Sequence, residues 1–240
     1  MITMDNDYSD IWFTTFLDTI DDHQTEKEIK FLLEFLPKEN YNKILDCACG
    51  PGRHAKKLLN LGYSVTGIDT NGKVISKAKI DNPSGTFIVL DMREISKLDD
   101  KYDSVLSMWQ SIGNFSSEVN KDIFRQIFKI LNENGRFIVD IYNRKFFDKY
   151  QGSREFEKEG MLIKSTNTIK GTRFSSEIVY VNKNVKETFE WEIYYDYEII
   201  QLLNEIGFSL VCKCTLFDRN KLPSEDLPRM QLVFEKKNYE

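Results

Sequence analysis

The chain has 240 residues, 41% of them hydrophobic, with 33 basic against 38 acidic side chains and a formal net charge of −5. That is enough apolar material for one large domain with an elaboration rather than two equal domains, and the acidic balance speaks against a dedicated nucleic-acid surface. No signal peptide, long apolar run or lipidation signature is present, and residues 1–9 are acidic and polar, so the expectation is a cytoplasmic protein with no membrane partner.

Two segments at helical spacing open the chain, Ile11 to Ile20 and Glu26 to Leu36, the second carrying Phe31, Leu32, Phe35 and Leu36 and closed by Pro37. An apolar strand follows, Lys43-Ile44-Leu45, which runs into Asp46 and the turn Cys47-Ala48-Cys49-Gly50-Pro51-Gly52 before a helix begins at Arg53-His54. Gly50 and Gly52 lack a Cβ, so a ligand can approach the backbone amides of this turn. The next strand, Ser64 to Ile68, ends in Asp69, which follows the turn at about the 20-residue spacing of a ribose-binding acid. Gly50 to Ala55 satisfies a dinucleotide pattern, and on that match alone a nicotinamide enzyme is permitted. Asp46 argues otherwise. A carboxylate ahead of the turn repels a pyrophosphate and attracts a cation.

A third strand, Thr86 to Leu90, ends in Asp91-Met92, and a fourth, Tyr102 to Ser107, runs into Met108-Trp109. The helix Glu118 to Leu131 is read as stopping at Asn134-Gly135, and the fifth strand as Gly135 to Ile141. Alternating strands and helices over Ile44 to Ile141 predict a parallel, doubly wound α/β sheet, with ligands at the carboxyl ends of its strands. Asp46, Asp69, Asp91 and Trp109 then share one rim. From Gln151 to Tyr195 the pattern changes to short β-rich runs, Met161 to Thr168, Ser176 to Val181 and Glu187 to Tyr195, which predicts an antiparallel β insertion. Asp196 is read as the cap of a helix, Tyr197 to Ile206, stopped by Gly207, and strands Ser209 to Leu216 and Gln231 to Lys236 complete the chain.

Asp46 to Gly52, followed by Gly67-Ile68-Asp69-Thr70, resembles motif I and its sequel in the class I S-adenosylmethionine-dependent methyltransferases. The resemblance implies a seven-stranded, mostly parallel sheet with a reversed C-terminal strand, S-adenosylmethionine as cofactor, and methyl transfer as the reaction. It implies donor-binding roles for Asp46, Ala48, Cys49, Gly50, Gly52, Asp69, Thr70, Asp91, Met92 and Met108, with Asp91 on the adenine amino group and the Met92 amide on a ring nitrogen. Ala48 departs from the family, which has a glycine there. On this reading residues 1–150 and 196–240 form the donor-binding core, and residues 151–195 form either an acceptor lid or a dimer contact.

After the fourth strand, Met108-Trp109-Gln110-Ser111-Ile112-Gly113-Asn114-Phe115 lacks the Asn/Asp-Pro-Pro-aromatic signature of nucleic-acid amino-methyltransferases, and it looks like small-molecule members of the superfamily. Tyr8, Trp109, Trp191 and Tyr195 are the acceptor-side candidates. No catalytic residue is assigned, because in-line transfer from a sulfonium gains much of its acceleration from alignment. Cys47/Cys49 and Cys212/Cys214 read as small turn and strand residues rather than zinc ligands, and His23 and His54 as packing or surface residues. The expected partner is a small-molecule acceptor, N- or O-methylated, bound by a monomer or homodimer. The competing classes are a nicotinamide-dependent reductase, a non-catalytic donor-binding module, and a protein or RNA methyltransferase.

Overall fold

The computed structural model describes residue 6, residues 9–16 and residues 21–237. Helices α1 (Asp10–Phe16) and α2 (Asp22–Phe35) lead into β1 (Lys43–Cys47), α3 (Arg53–Asn60), β2 (Ser64–Asp69), α4 (Gly72–Asp81), β3 (Thr86–Val89), β4 (Tyr102–Ser107), α5 (Ser117–Ile130) and β5 (Leu131–Tyr142). After α6 (Arg144–Lys149) come four strands, β6 (Gly152–Lys158), β7 (Met161–Lys170), β8 (Arg173–Tyr180) and β9 (Val185–Glu192). Helix α7 (Asp196–Ile206) and strands β10 (Phe208–Cys214) and β11 (Arg229–Lys236) close the fold.

Seven strands make one sheet in the order β10-β11-β5-β4-β1-β2-β3, parallel except for β11, which runs against both its neighbours. Consecutive residues Ile44 and Leu45 are both fully buried, as a strand covered on two faces requires. Leu45, Val105 and Phe137 pack with Phe124 of α5 and Leu203 of α7 on one side. Ile44, Val65 and Leu106 pack with Leu32 of α2 and Leu58 of α3 on the other. Asp21 begins α2 by accepting a hydrogen bond from the Gln24 amide at 2.7 Å, which satisfies one of the orphan N–H groups of the first turn.

The second sheet is a meander, β6-β7-β8-β9, entirely antiparallel. Strand β6 escapes the hydrophobic pattern because Gly152 to Lys158 holds one apolar residue, Phe156, so no alternation marks it. Two termini differ from expectation. Helix α5 ends at Ile130 and β5 starts at once, so Asn134-Gly135 lies within a strand and Asn134 takes φ +59° rather than stopping a helix. Tyr195, not Asp196, is the N-cap of α7, its amide donating to the Glu198 carboxylate at 2.9 Å. Residues 17–20 of the first expected helix lie outside the described residues.

Candidate functional site

The turn after β1 is held open by its backbone. Ala48, Gly50 and Gly52 all take positive φ, +56°, +55° and +86°. Ala48 thus adopts the left-handed conformation that a glycine would take freely, at a cost of about 1 to 2 kcal/mol. A Cβ on Gly67 of β2 would lie 2.7 Å from the Cys49 Sγ, so only glycine lets the turn settle this closely onto the sheet. A Cβ on Gly50 would meet nothing within 4 Å, which leaves open space over the loop.

Asp46 lies under this loop, 1% exposed, and its Oδ2 has no hydrogen-bond partner. Burial pushes its carboxyl up to about 6, against the pull of the His54 and Arg53 charges, and the charge of Asp69 raises it further. Such a group is poised for a positively charged ligand. Asp69, at the end of β2, accepts from the Gly50 amide at 3.0 Å through Oδ2 and from the Asn71 amide at 2.9 Å through Oδ1. Each oxygen keeps a lone pair for a further donor, which suits a pair of hydroxyls. Asp91 opens a short 3-10 turn, accepting from the Arg93 amide at 2.8 Å, and both its oxygens also bond the Arg93 guanidinium. Burial raises the Asp91 carboxyl, and the Arg93 hydrogen bonds outweigh it, so the net shift is downward. A small cavity of about 100 Å³ is lined by Ala48, Asp69, Thr70, Asp91, Met92 and Asn114, among others.

Trp109 follows β4 and stands between this edge and the second sheet. It and Gln110 take φ +57° and +65°, and the strained pair is held by Asp140 of β5. The Trp109 amide donates to Asp140 Oδ2 at 3.0 Å, and the Gln110 amide to the Asp140 carbonyl at 2.9 Å. Arg229 bonds the same carboxylate and lies 4.4 Å from the centroid of the Trp109 ring. The indole Nε1 donates at 2.9 Å to Glu28 of α2, which also takes Arg53 Nη1 at 2.6 Å and pairs with His54 Nε2 at 2.7 Å. Burial would raise the Glu28 carboxyl, yet the His54 hydrogen bond and the His54 and Arg53 charges bring it down to about 2.

A larger cavity of about 670 Å³ runs from Ala48 and Asp69, past Trp109, to a wall made by the second sheet, where Phe156, Phe174, Ile178 and Trp191 point inward. Trp12 and Phe16 of α1, Tyr142 of β5 and Phe147 of α6 add to its aromatic lining.

The candidates therefore distribute unevenly. Ala48, Asp69, Thr70, Asp91 and Met92 line the cavities at the strand ends, and Trp109 and Trp191 line the larger one. Asp46, Cys49, Gly50 and Gly52 form or underlie the turn, whereas Met108 is buried in the core behind it. Tyr195 does not reach the cavity; its hydroxyl donates to Asp148 at 2.6 Å and its ring stacks on Tyr197. Tyr8 lies outside the described residues. His54 is a buried partner of Glu28 rather than a surface residue. Glu28, Asp140 and Arg229 were not foreseen. Two of them left a trace: Asp140 interrupts the apolar run Phe137 to Ile141, and Glu28 falls on the buried face of α2 with Thr25, Phe31, Leu32 and Phe35.

A sequence profile described as a methyltransferase domain matches residues 44–135. The putative methyltransferase YqeM of Bacillus subtilis (strain 168) is 32% identical over 119 residues, covering 48% of this chain and 47% of that protein, so the match spans about half the relative's length. A glycine/sarcosine N-methyltransferase of Aphanothece halophytica is 23% identical over 205 residues, covering 77% of this chain and 73% of that one. Among solved structures, an S-adenosylmethionine-dependent methyltransferase from Clostridium acetobutylicum ATCC 824 superposes with a TM-score of 0.75 at 19% identity, over 94% of this chain and 96% of that one. The SAM-bound amino pentose methyltransferase CalS10 from Micromonospora echinaspora gives 0.70 at 14% identity, over 98% and 100%. At these identities the structures speak for the fold.

Proposed function

We propose that this chain, whose residues 44–135 match a methyltransferase-domain profile, transfers a methyl group from S-adenosylmethionine to a nitrogen or oxygen of a small molecule held in the aromatic cavity. The observation that carries the reading is continuity: one cavity reaches from Ala48 and Asp69 at the strand ends to Trp191 of the second sheet.

The residues present fit the donor. The buried Oδ2 of Asp46 has no hydrogen-bond partner among the described residues, and the open space over Gly50 leaves room for a cationic ligand. When bound, S-adenosylmethionine supplies an electrophilic methyl on a sulfonium. Asp69 would take both ribose hydroxyls through its remaining lone pairs, and Asp91 with the Met92 amide would meet the adenine edge. Trp109, fixed through Asp140 and Glu28, narrows the passage between donor and acceptor ends, so its work is alignment and exclusion of water. An amine acceptor arrives neutral or sheds its proton to solvent, since among the described residues the one acid lining the larger cavity is Asp69, whose oxygens hold two amides and would take the donor's ribose.

Calorimetry tests the donor half: S-adenosylmethionine and S-adenosylhomocysteine should bind at micromolar strength, and NAD and NADP should not. Mass spectrometry of a metabolite extract incubated with the protein and methyl-labelled donor tests the other half. Label should appear in a small molecule; label confined to protein or RNA would replace this reading with the corresponding macromolecular one.

A further inference from the structure

We infer that the acceptor carries an anionic group, a carboxylate or a phosphate, that meets Arg154 and Lys158 on β6, beside a hydrogen-bonding patch made by Ser165, Asn167 and Ser176. This rests on the methyltransferase reading above and names the chemical class that its acceptor end selects.

Strand alternation sorts the charges of β6. Arg154, Phe156 and Lys158 all line the cavity, so Glu155 and Glu157 between them face the opposite way, where Glu155 pairs with Lys164 at 2.8 Å. Among the described residues, the charged cavity lining is then Arg154, Lys158, Arg229 and Asp69. Arg229 is neutralised by Asp140, and Asp69 sits at the donor end holding the Gly50 and Asn71 amides. What remains is positive, in a chain whose formal net charge is −5. The two cations lie against aromatic rings: Arg154 is 5.4 Å from the Phe156 ring centroid and Lys158 is 5.1 Å from that of Phe16. Glu187 shares their face by register with Ile178, but it accepts from the Ser9 amide at 3.1 Å and adjoins Tyr180.

The polar patch supplies the second half. Ser165 is the cross-strand partner of Arg154, and Asn167 that of Ser176. Ser165, Asn167 and Ser176 are all buried, on the same face as Phe156, Phe174 and Ile178. Asn167 Oδ1 accepts from Ser165 Oγ at 3.2 Å and from Ser176 Oγ at 2.8 Å, while its Nδ2 donates to the Tyr150 carbonyl at 3.3 Å. Both hydroxyl protons are thereby spent inside the wall, and the hydroxyl lone pairs are left for an N–H or O–H of the ligand. An anion next to a hydrogen-bond donor, on an aromatic bed, is the ligand these side chains match.

The test titrates a matched series into the full chain saturated with S-adenosylhomocysteine: benzylamine, para-(aminomethyl)benzamide, para-(aminomethyl)benzoate and para-(aminomethyl)phenylphosphonate. The benzoate or the phosphonate should bind at least about tenfold more tightly than the benzamide, the worth of one hydrogen bond to a charged group. The stronger of the two identifies carboxylate or phosphate. Arg154→Gln with Lys158→Gln should erase the preference while leaving S-adenosylhomocysteine affinity and melting temperature unchanged. Equal binding of the benzamide and both anions, no binding by any anion, or a preference that survives the double variant would overturn the inference. Failure of S-adenosylhomocysteine to bind would instead strike the methyltransferase reading, and the same probe ratios, measured without it, would still decide the anion preference.

Discussion

Along the rim of the seven-stranded sheet, each candidate group stands within a few residues of a strand end: Asp46 and Ala48 at β1, Asp69 and Thr70 at β2, Asp91 and Met92 just after β3. The proposed acceptor end is built differently. Its wall is drawn from the inward faces of four antiparallel strands, a helix near the N-terminus and the distant Arg229, none of them a local motif. The first arrangement is set by backbone turns and a few carboxylates that are neighbours in the chain. The second can be re-lined one side chain at a time without disturbing the first, because alternate residues of a strand face away from the cavity.

The largest effect should come from separating the two physically. Replacing residues 153–190 by a short Gly-Ser linker should abolish turnover of the acceptor while donor affinity stays within a few-fold. A collapse of donor affinity in calorimetry would mean the regions are not independent.

Glu28→Gln probes the wall they share. With the charge removed, Arg53 and His54 lose their partner and the Trp109 indole its brace, which should cost about 3 kcal/mol of stability by denaturant unfolding. The sign of its pH dependence is set by a carboxyl lowered from 4.5 to about 2. The stabilisation is complete above pH 4.5 and is lost as pH falls toward 2, so the gap between wild type and variant should close over that window.

Asp69→Ala confines the damage to the rim. Losing two hydrogen bonds to a charged acceptor should weaken S-adenosylhomocysteine binding by roughly tenfold to a hundredfold or more. The acceptor probes should be unaffected. An unaltered dissociation constant for S-adenosylhomocysteine would remove Asp69 from the donor site.

A smaller, graded effect belongs to Asp46, whose carboxyl is pushed up to about 6 by burial. The neutral form cannot attract a cationic donor, so S-adenosylmethionine affinity should rise as pH increases through about 6 and level off above it. Asp46→Asn should flatten that profile. Smallest of all, Ala48→Gly relieves a positive φ and should raise stability by about 1 kcal/mol or less, with donor affinity preserved.

The rim was legible because its logic is local. An apolar run, an acid, a glycine turn and a helix are neighbours in the chain, and their order alone dictates a parallel α/β sheet and the edge where its ligands lie. Even Ala48 could be read as the family's departure, although only the folded turn reveals that it keeps the left-handed backbone of a glycine. Beyond the rim the signal fades. The Trp109 indole reaches Glu28 across 81 positions, and Arg229 reaches Asp140 across 89. Strand β6 carries no hydrophobic alternation because its inward Arg154 and Lys158 face a cavity rather than a packed core. Amino-acid order determined the sheet and its ligand edge, since these follow from turn chemistry and hydrophobic period, and the resemblance of the stretch Asp46 to Thr70 to a known family implied the donor. Which side chains line the larger cavity was decided only in the tertiary structure, where the second sheet meets that edge, because long-range hydrogen bonds and facing strands leave no fixed spacing in the chain.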